Sequence, residues 1–143
     1  MSANPGEPLK PLGSVASGGE LSRVMLAIKT VLADEEDTPT LIFDEIDTGI
    51  SGITAGKVGE KLKLIGKSRQ VLCITHLPQI AAVADAHYLI SKEVAGNSVK
   101  TKIELLDDEA SAEELARMLG GANVTGNILE SAREMKQLAK SEI

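Results

Sequence analysis

Asp44 and Glu45 stand side by side at the end of an apolar run, Thr40-Leu41-Ile42-Phe43, so the pattern delivers two carboxylates to the end of one β-strand. No polar residue separates Leu41, Ile42 and Phe43. Both faces of that strand are therefore expected to be covered, as in a parallel sheet with helices on either side. In such sheets ligands bind beyond the carboxyl ends of the strands. If extended geometry persists that far, the two acids point in opposite directions and can take different jobs. The competing reading makes Asp44 a cap of the next turn and Glu45 a solvated side chain. His76 ends a second apolar run, Val71-Leu72-Cys73-Ile74-Thr75, and is expected at the same sheet edge. A lone histidine is more often structural, but one beside two acids at a strand's carboxyl end is placed for function.

A third stretch, Ser17-Gly18-Gly19-Glu20, opens a helix whose apolar residues Leu21, Val24, Met25, Ile28, Val31 and Leu32 recur at three and four positions. Ser17 with Glu20 makes a capping box, which explains both residues without any ligand. It does not explain two glycines, each costing about 1 kcal/mol in a helix relative to alanine. The alternative is an anion site, in which bare backbone, unpaired N–H groups and the positive end of the helix dipole meet a phosphate. Arg23 belongs either to that site or to an ion pair with Glu20.

Other groupings lead nowhere. Gly52-Ile53-Thr54-Ala55-Gly56-Lys57-Val58 lacks both the spacing and the hydroxyl residue of a phosphate-binding P-loop, which leaves Lys57 as an exposed helix lysine. Cys73 sits in mid-strand and is expected to be an inert packing residue, not a nucleophile. Two histidines and one cysteine at these spacings make no zinc site.

The elements that must position these groups follow from pattern. The 143 residues suit one domain, with 43% hydrophobic content and a net charge of −6. Phe43 and Tyr88 are the only aromatic residues, so base stacking is not expected, and no basic block marks a nucleic-acid footprint. No apolar run approaches the length of a membrane span, the first twelve residues lack a signal-peptide core, and cytoplasmic residence is the expectation. Residues 1–13 read as an irregular, proline-punctuated arm, and 34–39 as an acidic turn. A helix is expected over 53–65, a short one after Pro78, and two strands over 86–94 and 98–106 that would extend the sheet antiparallel. From Ser111 two helices are expected, striped by Leu115, Met118 and Leu119 and then by Ile128, Leu129, Ala132, Met135 and Leu138.

In this order the stretches resemble the second half of an ABC-type ATPase head of the kind found in structural-maintenance-of-chromosomes (SMC) proteins and their bacterial double-strand-break-repair relatives. Ser17-Gly18-Gly19-Glu20 resembles the family signature, Leu41 to Glu45 the Walker B strand with its catalytic glutamate, Asp47 to Ser51 the D-loop, and His76 the switch histidine. The fold implied is α/β: the C-terminal lobe of a P-loop NTPase-like head, a mostly parallel sheet with flanking helices plus an antiparallel hairpin. Residues 14–106 would form its motif-bearing core and 107–143 its C-terminal helices. The resemblance further implies ATP and Mg²⁺ as cofactors. Asp44 would hold the metal through water, Glu45 would activate the attacking water, and His76 would sense the γ-phosphate. Ser17, Gly18, Gly19 and Glu20 would close on ATP held by a second head in a nucleotide-sandwich dimer, with Asp47 and Ser51 lining that interface. The partners implied are an amino-terminal Walker A lobe, that second head, and DNA through the full-length protein, with no membrane and a place near the bacterial nucleoid. The Walker A loop itself is not in these 143 residues, so the chain alone is expected to turn over ATP negligibly. Two other classes stay open: a non-catalytic module that keeps the fold, and one lobe of a helicase motor, since Asp44-Glu45-Ile46-Asp47 also fits a D-E-x-D pattern.

Overall fold

A computed structural model describes residues 16–32, 38–95 and 98–141, together with Pro8 and Pro11. The arm, most of the acidic turn and the hairpin's Gly96-Asn97 lie outside the described residues. Nine elements follow one another: α1 (Gly18–Val31), β1 (Thr40–Phe43), α2 (Gly52–Gly66), β2 (Gln70–Cys73), α3 (Pro78–Ala81), β3 (Tyr88–Ala95), β4 (Ser98–Leu105), α4 (Asp108–Gly120) and α5 (Gly126–Ser141). They fall into two compact units, residues 1–76 and 77–143. None of the described helices is long and apolar enough to cross a membrane.

The first unit is a β-α-β crossover with α1 packed on its helix. Strands β1 and β2 pair in parallel, Thr40 opposite Gln70 through Phe43 opposite Cys73, and the ladder continues one step as the Ile74 amide donates to the Phe43 carbonyl at 3.0 Å. Parallel neighbours need a crossover connection, and α2 is that connection. Its Ala55, Val58, Leu62 and Ile65 are buried, as are Leu41 and Phe43 of β1, Leu26 of α1 and Ile46. A Leu, Ile, Val and Ala interior built around one phenylalanine matches the composition.

Coverage of the strand differs from expectation. Leu41 and Phe43 are buried, but Ile42 between them is 69% exposed, and Leu72 and Ile74 are about half exposed. Ile42 and Leu72 are register partners, so one face of the two-stranded sheet is bare. Helix α1 shows the same thing: Leu26 turns inward, while Val24, Met25, Ile28 and Val31 of the expected apolar stripe remain in solvent. Hydrophobic periodicity reports that a face favours burial and carries no information about whether the covering element belongs to the same chain.

In the second unit, Tyr88 pairs with Leu105 and Ala95 with Ser98 in a regular antiparallel ribbon. Contrary to the expected sheet extension, β3 and β4 pair only with each other among the described residues. Every described β4 residue is exposed. Asp107 caps α4 by accepting from the Ala110 amide at 2.8 Å, and Gly121, at φ +63°, ends it. Helices α4 and α5 pack through Leu115, Ala116 and Ala132, with Ala81 and Ala82 beside them and Met118, Ile128, Leu129 and Met135 at the margin. Leu119 and Leu138, expected in the stripe, are exposed. Across the outside, Arg133 pairs with Glu109, and Lys136 with Asp108 at 2.9 Å.

His87 lies within this unit, with Nδ1 2.9 Å from the hydroxyl of buried Ser111. Burial pushes its imidazole below the ordinary value of 6.5, with Lys136 adding to that and Glu114 opposing it. The fold therefore prefers the neutral ring, and the unfolded chain binds the proton more readily. Stability from this site is complete above the ordinary histidine range and declines as pH falls through it toward the lower folded value. Melting temperatures measured from neutral to mildly acidic pH should fall in wild type and fall less in His87→Gln. Equal slopes in the two proteins would count against this assignment.

Candidate functional site

Beyond their last paired residues, the two parallel strands release loops that face each other across an open cleft of about 240 Å³, lined by Asp44, Glu45, Asp47, Thr48, Ile74, Thr75 and His76. A whole nucleotide wants more room than this, whereas a terminal phosphate with its metal does not. The structure therefore brings Asp44, Glu45, Asp47 and His76 together. Ser17, Gly18, Gly19, Glu20 and Ser51 do not line the cleft.

Extended geometry stops at Phe43, so the expected alternation of the two acids is replaced by something tighter. Glu45 has φ +56°, the left-handed region, which is unusual for a residue with a side chain and costs of order 1–3 kcal/mol. The turn is closed by the Thr48 amide donating to the Glu45 carbonyl at 3.0 Å. Helix α1 holds it from outside: Ser22 Oγ donates to the Asp44 carbonyl at 3.0 Å, and Arg23 Nη1 donates to the carbonyls of Ile46 at 2.9 Å and Thr48 at 3.0 Å. Arg23 thus serves as a staple from the signature helix to the loop after β1.

The two glycines acquire an intramolecular reason. A Cβ at Gly19 would lie 2.7 Å from the Glu45 carbonyl oxygen, 3.0 Å from the Thr48 carbonyl oxygen and 3.0 Å from Arg23 Nη1. One at Gly18 would meet the Glu45 carboxylate at 2.8 Å. In this chain the loop itself comes close to both glycines. The capping box is also formed: the Ser17 amide and hydroxyl each donate to Glu20 Oε2 at 2.8 Å, and the Glu20 amide donates back to Ser17 Oγ at 3.4 Å. Those bonds from the Ser17 amide and hydroxyl hold the Glu20 carboxyl below its ordinary value. Ser51 caps α2 by backbone only, with its hydroxyl 3.5 Å from that of Thr54.

Asp47 is 2% exposed. Burial would raise its pKa, but the Thr75 hydroxyl, the His76 amide, its own amide and the His76 ring together hold it below the ordinary value. It is engaged inside the chain, where the resemblance implied a residue lining an interface. Neither Thr75 nor Ser22 was singled out from sequence, because their partners lie 28 and 22 residues away and no periodicity encodes such contacts. Cys73 conforms to expectation: burial, with the charges of Asp47 and Asp44, pushes its thiol up to about 12.

No group of three or more His, Cys, Asp or Glu side chains able to hold a metal occurs among the described residues. Asp44 and Glu45 line the cleft, and carboxylates of that kind, one or two with waters and phosphate oxygens, are what Mg²⁺ takes.

The glycine geometry is directly testable. Gly19→Ala forces backbone apart and should destabilise the chain by about 1–3 kcal/mol. Gly18→Ala meets only the end of a flexible side chain and should cost less. Urea unfolding of both variants checks this, and a Gly19→Ala protein as stable as wild type would show that the loop can give way.

No protein-family model matches the chain. Among curated proteins it is 50% identical over 141 residues to the DNA repair protein RecN of Halalkalibacterium halodurans, covering 99% of this chain and 25% of that protein. It is 49% identical over 135 residues to RecN of Vibrio cholerae, with 94% and 24% covered. To RecN of Deinococcus radiodurans it is 52% identical over 135 residues, with 94% and 23% covered. A solved chain from a study of ATP-driven dimerization and DNA-stimulated activation of SMC ATPases superposes with a TM-score of 0.53 at 19% identity, covering 82% of this chain and 70% of that one. At that identity the likeness concerns the fold alone. The chain is a RecN-type sequence, the counterpart of about a quarter of the length of the RecN proteins it matches.

Proposed function

We propose that this chain is the signature and Walker B part of an ATP-hydrolysing head that acts in recombinational repair of DNA double-strand breaks. The observation that carries this reading is the shared cleft of Asp44, Glu45 and His76, with the signature helix stapled to the same loop by Arg23. The RecN relatives supply the repair context.

Asp44 would hold Mg²⁺ through water. The ion, when bound, neutralises charge on the phosphates. Glu45 orients the attacking water and takes its proton, a role that contributes about 10²- to 10⁴-fold in positioned general bases. His76 hydrogen-bonds the γ-phosphate. Phosphoryl transfer is mostly positioning and charge stabilisation, so fixed groups on a tight loop suit it. The amino end of α1, Ser17 to Glu20, closes on ATP held by a second head, and its dipole favours the anion there. Ser51, exposed at the start of α2, lies at that same contact.

The β- and γ-phosphate cradle comes from an amino-terminal Walker A lobe of the same protein. The bare faces around Ile42, Leu72 and Ile74, and along Val24, Met25 and Ile28, are what a chain would show if such a lobe covered it. DNA is engaged by the full-length protein, in the cytoplasm at the nucleoid.

ATP turnover should be negligible for this chain alone and should arise on mixing with a separately expressed Walker A lobe, with further stimulation by linear DNA. Glu45→Gln should lower that turnover by about 10²-fold or more while nucleotide binding persists. Lobes that associate without restoring turnover, or a Glu45→Gln mixture as fast as wild type, would favour a non-catalytic module.

A further inference from the structure

Asp47 is the one buried charged side chain among the described residues, and the roles proposed above leave it without work. Its contacts with Thr75 and His76 converge on one oxygen. Oδ2 accepts from the Thr75 hydroxyl at 2.6 Å and the His76 amide at 2.8 Å, and lies 3.0 Å from His76 Nδ1. Two of those three groups belong to a single residue, so backbone and ring of His76 are gripped together. The ring itself is 71% exposed. An imidazole so open to solvent would ordinarily exchange rotamers and tautomers, and here it has a fixed anchor.

An ionised carboxylate is an acceptor only, so the ring nitrogen beside it must carry the proton. The bond made by one imidazole nitrogen decides what the other can do. We propose that Asp47 is the positioning residue of His76, holding the imidazole through Nδ1–H and so leaving Nε2 as the nitrogen available to a ligand in the cleft. This rests on the reading of His76 as the group that meets the terminal phosphate. A neutral ring held this way can only accept at Nε2, from a water or a protonated oxygen. To donate to an anionic phosphate oxygen it must be the imidazolium, with one nitrogen bonded to each anion. In both species the nitrogen facing Asp47 carries a proton, so Asp47 fixes which nitrogen is turned to the ligand. Its burial fits an anchor.

The chain's own ring nitrogens provide the test. Long-range ¹H–¹⁵N correlation spectra at about pH 8, above the ordinary histidine range, distinguish protonated from bare imidazole nitrogens. His87→Gln assigns the two histidines. Wild-type His76 should show Nδ1 protonated and Nε2 bare. Asp47→Asn, which places an amide donor beside Nδ1, should move the ring toward the Nε2–H tautomer. Thr75→Val, which removes a bond to the same oxygen and leaves the carboxylate, should keep the wild-type pattern. An Nε2–H ring in wild type overturns the proposal, as does a folded Asp47→Asn protein with an unchanged spectrum. Should Asp47→Asn fail to fold, the wild-type spectrum still decides.

Turnover after mixing with the Walker A lobe adds a second readout. Asp47→Asn should slow it about 10- to 100-fold, the usual size of such supporting contacts. Combined with His76→Ala it should slow the reaction no further than His76→Ala alone, whereas additive losses would contradict action through the ring. Were the wild-type mixture inactive, the ATPase reading would fail while the tautomer result stood by itself.

Discussion

A single carboxylate joins the two loops that make the cleft. Strands β1 and β2 are four residues each, and their backbone pairing ends one step past Phe43. Beyond that step the chain diverges into Ile46 to Ser51 on one side and Thr75 to Leu77 on the other. Asp47 bridges them through hydrogen bonds to Thr75 and His76. In a buried setting such bonds are expensive to leave unmade, because the acceptor then loses both water and partner. The distance from Asp44 and Glu45 to His76 is therefore governed by one buried acceptor more than by the sheet.

The opposite flank of the loop is governed by α1. Ser22 and Arg23 collect carbonyl groups of residues 44, 46 and 48, and Gly19 lets the helix lie against the Glu45 carbonyl. Clamped from both sides, the loop sustains a left-handed Glu45 that a free peptide would rarely adopt. Local strain of this kind persists where surroundings over-determine it, and here the surroundings can be named. They also connect the amino end of α1 mechanically to the glutamate proposed as base.

Much of the fold was legible because its signals are local. The capping box at Ser17, the apolar run into Asp44, Pro78 opening α3 and the alternation of residues 88 to 105 each depend on near neighbours, and each element formed within a few residues of its expected span. What escaped was non-local. Ile42 looked buried because its neighbours are apolar, yet nothing described covers it; Leu119 and Leu138 fit a helical stripe but lie past the contact between α4 and α5. The hairpin had the right pattern for a sheet, yet among the described residues its strands pair only with each other. At the site, the edge position of Asp44, Glu45 and His76 followed from strand ends, whereas the burial of Asp47, the partners of Arg23 and the packing of Gly19 depend on contacts that span twenty to thirty residues.

The contact between Gly19 and the Glu45 carbonyl bears on how genetics at this motif should be interpreted. Glycines in phosphate-facing turns are commonly taken to be intolerant because a side chain would block the ligand. Here an allele at Gly19 would fail earlier, by displacing a loop within its own subunit. Intragenic suppressors of such an allele would then map to residues 45 to 48, where backbone can retreat. A glycine guarding only an external ligand would find its suppressors across the subunit boundary, so the map of second-site revertants separates the two causes where loss of function cannot.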